Sequence, residues 1–197
     1  MKKSSSILIF SLLIITGIYY ICFSLKTADN TFIFDGVIYF ILILLFIVFF
    51  TITFKHDFKT FKVSKSYKSF FFTAIGTLII ILNIGCQLYL ASRDSSEIIL
   101  KAFYNGDFNG SSLEFRKDGT YKFGNGSGLG ESTQRGNFSV NDSIITLDRN
   151  NIDNVIESKT LVIRNELNGT DAKILQLDKN FNVIAKATEF RVVQDKK

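Results

Sequence analysis

"LEFRKDGTYKF", residues 113–123, alternates apolar and polar side chains on both sides of an Asp-Gly pair. This alternation is typical of two half-buried antiparallel strands, and Asp118 and Gly119 are the structural turn residues that connect them. Successive side chains of a strand point to opposite faces, so the turn decides which residues form the core. The register of this hairpin therefore decides how the C-terminal half of the chain is built.

Two turn lengths give two registers. A two-residue turn sets Phe115 opposite Lys122, which sends the apolar side chains of one strand to the wet face. A three-residue turn over 117–119 sets Phe115 opposite Tyr121 and places Gly119 in the left-handed conformation that such turns need. We therefore predict the three-residue turn.

Short alternating segments continue to the C-terminus, between turn signals at 141–142, 168–169 and 178–180. The first of these turns is expected to set Phe138 against Ile145. About eight strands in roughly 100 residues are typical of a small antiparallel β-barrel, so we predict an all-β C-terminal domain with this fold, a sandwich being the alternative. Its interior should be rich in aromatic rings, contributed by Phe115, Tyr121, Phe123, Phe138, Phe181 and Phe190.

Alternating glycines follow the hairpin, in "GNGSGLG" at 124–130. A loop that holds a phosphate opens a helix and carries a Lys that meets the phosphate charge. Here a strand-like segment follows, and Glu131 stands at the position of that Lys. We therefore predict that the glycines form a loop that joins two strands, without a bound phosphate.

The first half of the chain contains three long apolar runs, 7–25, 32–54 and 70–90. An α-helix of about 20 residues crosses the ~30 Å hydrocarbon core of a bilayer, and each run has about that length. Three transmembrane helices are therefore predicted in a membrane domain over residues 1–91. A polar linker, 92–97, leads to the soluble β domain, 98–197.

The formal net charge of +5 belongs to the membrane half of the chain, because residues 93–197 contain 15 basic and 15 acidic side chains. Seven of the eight lysines in the membrane half precede the first run or lie between the second and the third. Short lysine-rich segments stay in the cytoplasm. A soluble part without Cys fits a bacterial envelope protein. We therefore expect a multi-pass protein of the bacterial inner (cytoplasmic) membrane, with a cytoplasmic N-terminus and a periplasmic C-terminal domain.

Polar and small residues in the third run predict contacts between helices. Asn83 and Gln87 lie four residues apart and share one face of a helix, with Gly76 above them. Amides in hydrocarbon hydrogen-bond across helix interfaces, and a Gly lets two backbones approach. We expect the three residues to pack within the helix bundle or to form a homo-oligomer contact. The lipid bilayer is the other expected partner, and no nucleic-acid partner is expected.

The β domain lacks the side chains of common catalytic and metal sites. The sequence has one His, His56, and two Cys, Cys22 and Cys86, and all three lie outside that domain. Nucleophilic triads with His and the usual zinc sites need these residue types. We therefore expect no catalytic residues, no metal and no cofactor, and a protein that is not an enzyme.

Residues 113–147, which contain "LEFRKDGTY" and "GNFSVNDSIITL", resemble lipocalin-like domains of small bacterial envelope proteins in their strand–DGT–strand pattern. The resemblance implies a β-barrel. The chain has no Trp and lacks the G-x-W signature of that family, so ligand binding inside the barrel is not carried over. The expected function is that of a non-catalytic protein anchored in the inner membrane, which presents the barrel at the outer face to a partner protein or a small ligand.

A second architecture leads to a different function. Membrane-anchored β-barrel effectors of antiphage signalling bind cyclic nucleotides, and the chain is similar to them in combining membrane helices with a barrel. This alternative needs a cytosolic barrel, whereas the distribution of lysines predicts a periplasmic one. In such a barrel, several arginines would converge on a pocket and bind the phosphate of the nucleotide. The candidates are Arg116, Arg135, Arg149, Arg164 and Arg191.

Overall fold

The structure, a computed structural model, describes residues 3–106, 108–165 and 172–196. It forms two compact units. The first contains three long apolar helices, and the second is a closed antiparallel barrel of eight strands with one additional strand. The predicted fold class, membrane-type helices followed by a small antiparallel β-barrel, is confirmed. The predicted turn at 168–169 lies outside the described residues.

The helical unit contains α1, α2 and α3, which span Lys3–Thr27, Asp35–Ser64 and Phe71–Ser92. A 3₁₀ turn, Tyr67–Phe70, precedes α3. Each of the three helices is long and apolar enough to cross a membrane. Many of their large apolar side chains are exposed, which suits helices that face lipid and satisfy their backbone hydrogen bonds internally.

The second helix continues to Ser64, beyond its predicted end at 54, and so includes most of the segment that the sequence predicts as a basic loop. That segment contains neither Gly nor Pro, so no residue in it breaks a helix. Aromatic rings also support it. The rings of Phe54 and Phe58 stack with their centroids 6.1 Å apart, and Lys62 Nζ lies 4.9 Å from the centre of the Phe58 ring.

A buried carboxylate joins the end of α2 to the start of α3. Asp57 is 1% exposed, and its Oδ2 accepts hydrogen bonds from the backbone N–H of Thr73 at 2.9 Å and from the Thr73 hydroxyl at 2.8 Å. The first N–H groups of a helix lack partners within that helix. Asp57 supplies one such partner from a neighbouring helix, and a carboxylate is favourable at the positive end of α3.

Replacing Asp57 with Ala should lower the stability of the helical unit by about 1–3 kcal/mol, because the Thr73 N–H loses its buried acceptor. Asp57→Asn keeps an acceptor oxygen and should cost less. The measurement is SDS-induced unfolding of the full chain in mixed micelles, followed by circular dichroism, with the exposed Lys59→Ala as control. Equal stability of Asp57→Ala and Lys59→Ala would contradict this capping role.

The β unit is one antiparallel sheet that closes on itself. Its strands are β1 (Asn30–Phe32), β2 (Ile98–Asn105), β3 (Asn109–Arg116), β4 (Thr120–Ser127), β5 (Gly130–Asn141), β6 (Ile144–Leu147), β7 (Thr160–Asn165), β8 (Ala172–Gln176) and β9 (Phe190–Asp195). The order around the barrel is β5-β4-β3-β2-β9-β8-β7-β6, and a pairing of β5 with β6 closes it. The long strand β5 also pairs with β1.

The register of β3 and β4 is the one that the three-residue turn predicts. Phe115 pairs with Tyr121, and Leu113 pairs with Phe123. All four side chains are fully buried. Gly119 has a φ of +83°, in the left-handed region. The hairpin prediction is therefore confirmed in both its pairing and its turn conformation.

Asp118 stabilises the turn through its own side chain. Its Oδ1 accepts hydrogen bonds from the backbone N–H of Thr120 at 3.0 Å and from the Thr120 hydroxyl at 2.6 Å. These bonds lower the pKa of the Asp118 carboxyl. Asp118 and Gly119 thus occupy the positions in the turn that the sequence predicts for them.

The β5–β6 hairpin differs from its prediction. The sequence predicts a turn at 141–142 with Phe138 opposite Ile145, whereas Phe138 pairs with Leu147. The turn lies one residue further along the chain, where Asp142 adopts a φ of +54°. Asp tolerates this left-handed conformation, so the hairpin forms without a Gly at that position.

Phe181 is not part of the interior, contrary to the prediction. Its side chain is 62% exposed. The Oδ1 of Asp178 accepts hydrogen bonds from the backbone N–H groups of Asn180 and Asn182, both at 2.8 Å. These bonds hold a wider turn than the three-residue one that the sequence predicts, and Phe181 lies on its outside.

The alternating glycines lie mostly in strands, so the predicted glycine loop is wrong. Gly124 and Gly126 belong to β4, and Gly130 begins β5. Only Gly128 and Leu129 form the turn between the two strands. Backbone hydrogen bonds hold a strand ladder together without any help from side chains, which is why glycines can continue it here.

A short segment between α1 and α2 belongs to the β unit. The carbonyl of Asp29 accepts a hydrogen bond from the N–H of Thr133 at 2.7 Å, and the Asp29 carboxylate pairs with Arg135. No pattern in the sequence indicates this pairing. This segment places β1 beside one part of β5, and β6 pairs with another part of β5.

Gly119→Ala should lower the free energy of unfolding of the barrel by about 1 kcal/mol or more, because a side chain is strained at this positive φ. Gly128→Ala is the matched control, because a Cβ at Gly128 would meet no atom within 4 Å. Denaturant unfolding of the purified full chain, followed by circular dichroism, compares the two. If Gly119→Ala is as stable as the control, the turn does not depend on this conformation.

Candidate functional site

The interior of the barrel is filled by its own side chains. Phe115, Tyr121, Phe123 and Phe190 are all fully buried. The rings of Phe123 and Phe190 meet edge to face, with centroids 6.4 Å apart. An eight-stranded barrel has an interior just wide enough for side chains. The outer surface and the ends of the barrel are therefore where a ligand or a partner can bind.

One buried amide in this core is completely used by the fold. Gln176 is 1% exposed, and its Oε1 accepts a hydrogen bond from the N–H of Glu157 at 2.7 Å. Its Nε2 donates to the carbonyls of Val155 at 2.9 Å and Thr188 at 3.1 Å. A buried amide with these partners stabilises the connections around it and leaves no group for a ligand.

A second polar pair lies where the core meets the surface. The Tyr121 hydroxyl donates to Asp148 Oδ1 at 3.0 Å, and burial together with this bond raises the pKa of Tyr121. Burial also raises the pKa of Asp148, but hydrogen bonds from the Asn137 N–H and the Tyr121 hydroxyl and the charge of Arg149 outweigh it, so this pKa is lowered. Gly136 leaves room for the pair, because a Cβ there would lie 2.5 Å from Asp148 Oδ1.

The lowered pKa makes Asp148 a source of pH-dependent stability. Its carboxylate contributes fully above the ordinary pKa of 3.8, and the contribution is lost as the pH falls through the lowered pKa of the folded state. Between about pH 4 and pH 2, the free energy of unfolding should therefore fall more steeply for the wild type than for Asp148→Asn. Denaturant unfolding at each pH measures this, with the exposed Asp142→Asn as control. Parallel curves for the wild type and Asp148→Asn would contradict it.

The candidate arginines lie in different surroundings. Arg116 is 3% exposed, and its Nη2 lies 2.9 Å from Glu114 Oε2. Arg135 pairs with Asp29, and Arg149 donates from Nη2 to the carbonyl of Arg135 at 2.7 Å. The contact of Arg116 lies within β3, and the contacts of Arg135 and Arg149 join β5 to the residue before β1 and to the segment after β6, so each of the three side chains has a structural role.

The other two candidate arginines share one row on the outer face of the barrel. Arg164 pairs across the strands with Lys173, and Lys173 pairs with Arg191. Arg164 and Arg191 are exposed. Like charges on adjacent strands repel, and Glu189 offsets part of this charge through a 3.4 Å ion pair with Lys173. The five arginines therefore do not converge on one site.

Gly76 lies where the three helices meet. A Cβ there would lie 2.8 Å from the ring of Phe50 in α2 and 3.1 Å from Leu13 in α1. Gly17 of α1 has a similar place, since its Cβ would lie 2.4 Å from Ile79 in α3. A larger side chain at either position would push the helices apart, so these contacts agree with the packing role that the sequence predicts for Gly76.

The two amides of α3 behave differently. Gln87 Nε2 donates to Ser24 Oγ of α1 at 2.9 Å, the kind of contact between helices that the sequence predicts. Asn83 Nδ2 donates instead to the carbonyl of Ile79 in its own helix at 2.9 Å. Both amides line a largely apolar groove of about 580 Å³ in the helical unit. The expected homo-oligomer contact stays a prediction.

A Ser–His–Asp chain, which the sequence analysis missed, lies at the lysine-rich end of α2. Ser6 Oγ is 3.3 Å from His56 Nε2, and His56 Nδ1 is 3.4 Å from Asp57 Oδ1. Activated nucleophiles have shorter contacts, about 2.6–3.2 Å. The second oxygen of Asp57 is already bound to Thr73. We therefore assign this cluster to helix packing.

A groove of about 380 Å³ lies on the outer face of the barrel, and sequence reasoning missed this too. Its lining includes Phe103, Phe108, Gly110, Ser112, Gly124 and Glu131. Gly124 and Gly126 are two residues apart and share this face, whereas Phe123, which precedes Gly124, points into the core. Glycines at alternate positions of one strand were the signal in the sequence, because they leave one face of that strand bare.

This groove combines apolar, polar and acidic groups in one concave surface, which the other described clusters do not. Among the described residues, no group of three or more His, Cys, Asp or Glu could hold a metal ion. Comparison of the chain with models of protein families, with curated proteins and with solved structures gives no match. Function is therefore inferred from the fold, the distribution of charge and the groove.

Proposed function

We propose that this chain is a non-catalytic protein of the bacterial inner membrane, whose helices anchor the barrel and whose barrel binds a partner protein or a small ligand at the outer face of the membrane. One observation carries the proposal. Phe115, Tyr121 and Phe123 fill the space that an internal ligand or a buried active site would need. Recognition then falls to the outer surface of the barrel, where the groove lies.

The arrangement of charge supports the periplasmic side. The lysines between Lys55 and Lys68 follow the apolar part of α2 and precede α3, where a short cytoplasmic connection is expected. Two crossings separate the connection after α1 from the residues after α3, so both lie on one side of the membrane. The assignment of Asp29–Thr31 to the β unit agrees with three complete crossings.

The alternative is a membrane effector with a cytosolic barrel that binds a nucleotide signal. Phosphate recognition of that kind uses several arginines that converge on one pocket. Arg116 contacts Glu114 and Arg135 contacts Asp29, and neither side chain lines the groove. The dispersal of the arginines therefore favours the first proposal, and the side of the membrane on which the barrel lies separates the two.

Reporter fusions after Ser66 and after Lys197 should place the first site in the cytoplasm and the second in the periplasm. Alkaline phosphatase is active only in the periplasm. Green fluorescent protein fluoresces in the cytoplasm but not after it has been exported unfolded to the periplasm, so each site is tested with both reporters. The fusion after Ser66 is the internal control for the fusion after Lys197. A cytoplasmic C-terminus would reject the envelope proposal and favour the nucleotide effector.

A further inference from the structure

The floor of the outer groove is bare because glycines occupy it. A Cβ at Gly124 would lie 2.2 Å from Glu131 Oε1 and 2.9 Å from Ser112 Oγ. The Glu131 side chain therefore lies flat across Gly124, with its carboxylate inside the groove. A Cβ at Gly110 would lie 2.9 Å from Cζ of Phe103, so the tip of that ring lies over the second glycine in the same way.

The pairing of β3 with β4 sets the distance between these two groups. Gly110 pairs with Gly126, and Gly124 lies two residues before Gly126 in β4. Diagonal neighbours of this kind lie about 7–8 Å apart. The Phe103 ring tip and the Glu131 carboxylate thus flank a gap that can take one small group. Phe108, which is 92% exposed, forms another wall.

The charge in the groove is negative. Glu131 forms no ion pair or hydrogen bond through its carboxylate with the described residues. Arg191 pairs across the strands with Phe103, but it does not line the groove. A carboxylate beside aromatic rings attracts an organic cation, through charge and through cation–π contact.

We propose that this groove binds an ammonium group, with Glu131 as its counter-ion and with Phe103 and Phe108 as its apolar walls. The inference rests on the binding role proposed above and names its site and the chemical class of its ligand. A small solute and a lipid headgroup can both carry such a group. A methylated ammonium fits best, because its methyl groups lose little water when they touch the two rings.

The test uses the full chain in maltoside micelles, which carry no ammonium group. Choline is the probe, and 3,3-dimethylbutan-1-ol, which has its shape without its charge, is the control ligand. Binding is followed by saturation transfer from the protein to the methyl protons of the probe. Choline should bind, and it should bind about two- to fivefold more tightly than the neutral control.

Variants assign the binding to the groove. Glu131→Gln should weaken choline binding to the level of the neutral ligand, whereas Glu157→Gln, another exposed carboxylate of the barrel, should leave it unchanged. Phe108→Ala should weaken both ligands, and Leu129→Ala is its control, because Leu129 is 64% exposed and does not line the groove. Both Glu131 and Phe108 are exposed, so these variants keep the fold.

Nanodiscs of phosphatidylglycerol, with or without phosphatidylcholine, identify the source of the ammonium group. Weaker choline binding in the mixed discs means that headgroups occupy the groove, and equal binding means that it takes a free solute. Either result supports the site. Equal binding of choline and its neutral control, or a loss with Arg191→Gln but not with Glu131→Gln, would overturn it. These results are independent of the topology test, which can reject the envelope location without changing choline binding.

Discussion

The three-residue turn at 117–119 is the constraint on which the β unit depends. Strand side chains alternate between faces, so the register that this turn imposes decides the position of every residue in β3 and β4. It turns Tyr121 and Phe123 inward, and the same alternation turns Gly124 outward. The filled interior and the bare floor of the groove are therefore two consequences of one register. A shift of the register by one residue would turn the aromatic side chains of one strand out of the core and into the groove.

Local patterns account for the parts of the structure that the sequence predicted correctly. Hydropathy over about 20 residues identifies a membrane helix whatever surrounds it. The hairpin at Asp118 and Gly119 was also predictable, because the turn chemistry and the apolar alternation required the same register. Gln87 could be assigned to a contact between helices because an amide in an apolar helix needs a partner.

The errors and omissions have a different physical origin, since they depend on bonds that no local pattern reveals. Phe181 lies outside because Asp178 binds two backbone N–H groups and widens a turn. The pair of Asp29 and Arg135 joins residues 106 positions apart. The groove was missed for a similar reason. Glu131 became part of a site only when strand pairing laid it across a glycine of the neighbouring strand.

The composition of the groove limits the kind of ligand that suits it. An exposed carboxylate with two aromatic walls supplies only a few kcal/mol, and about 4 kcal/mol corresponds to millimolar affinity. Such a site works for a group that is abundant around it, as headgroups and envelope solutes are, and not for a scarce signal. A scarce anionic signal would need a closed pocket with several cations in contact with it. The shallow acidic groove and the filled barrel therefore both support the proposal that this barrel recognises common material at a membrane surface.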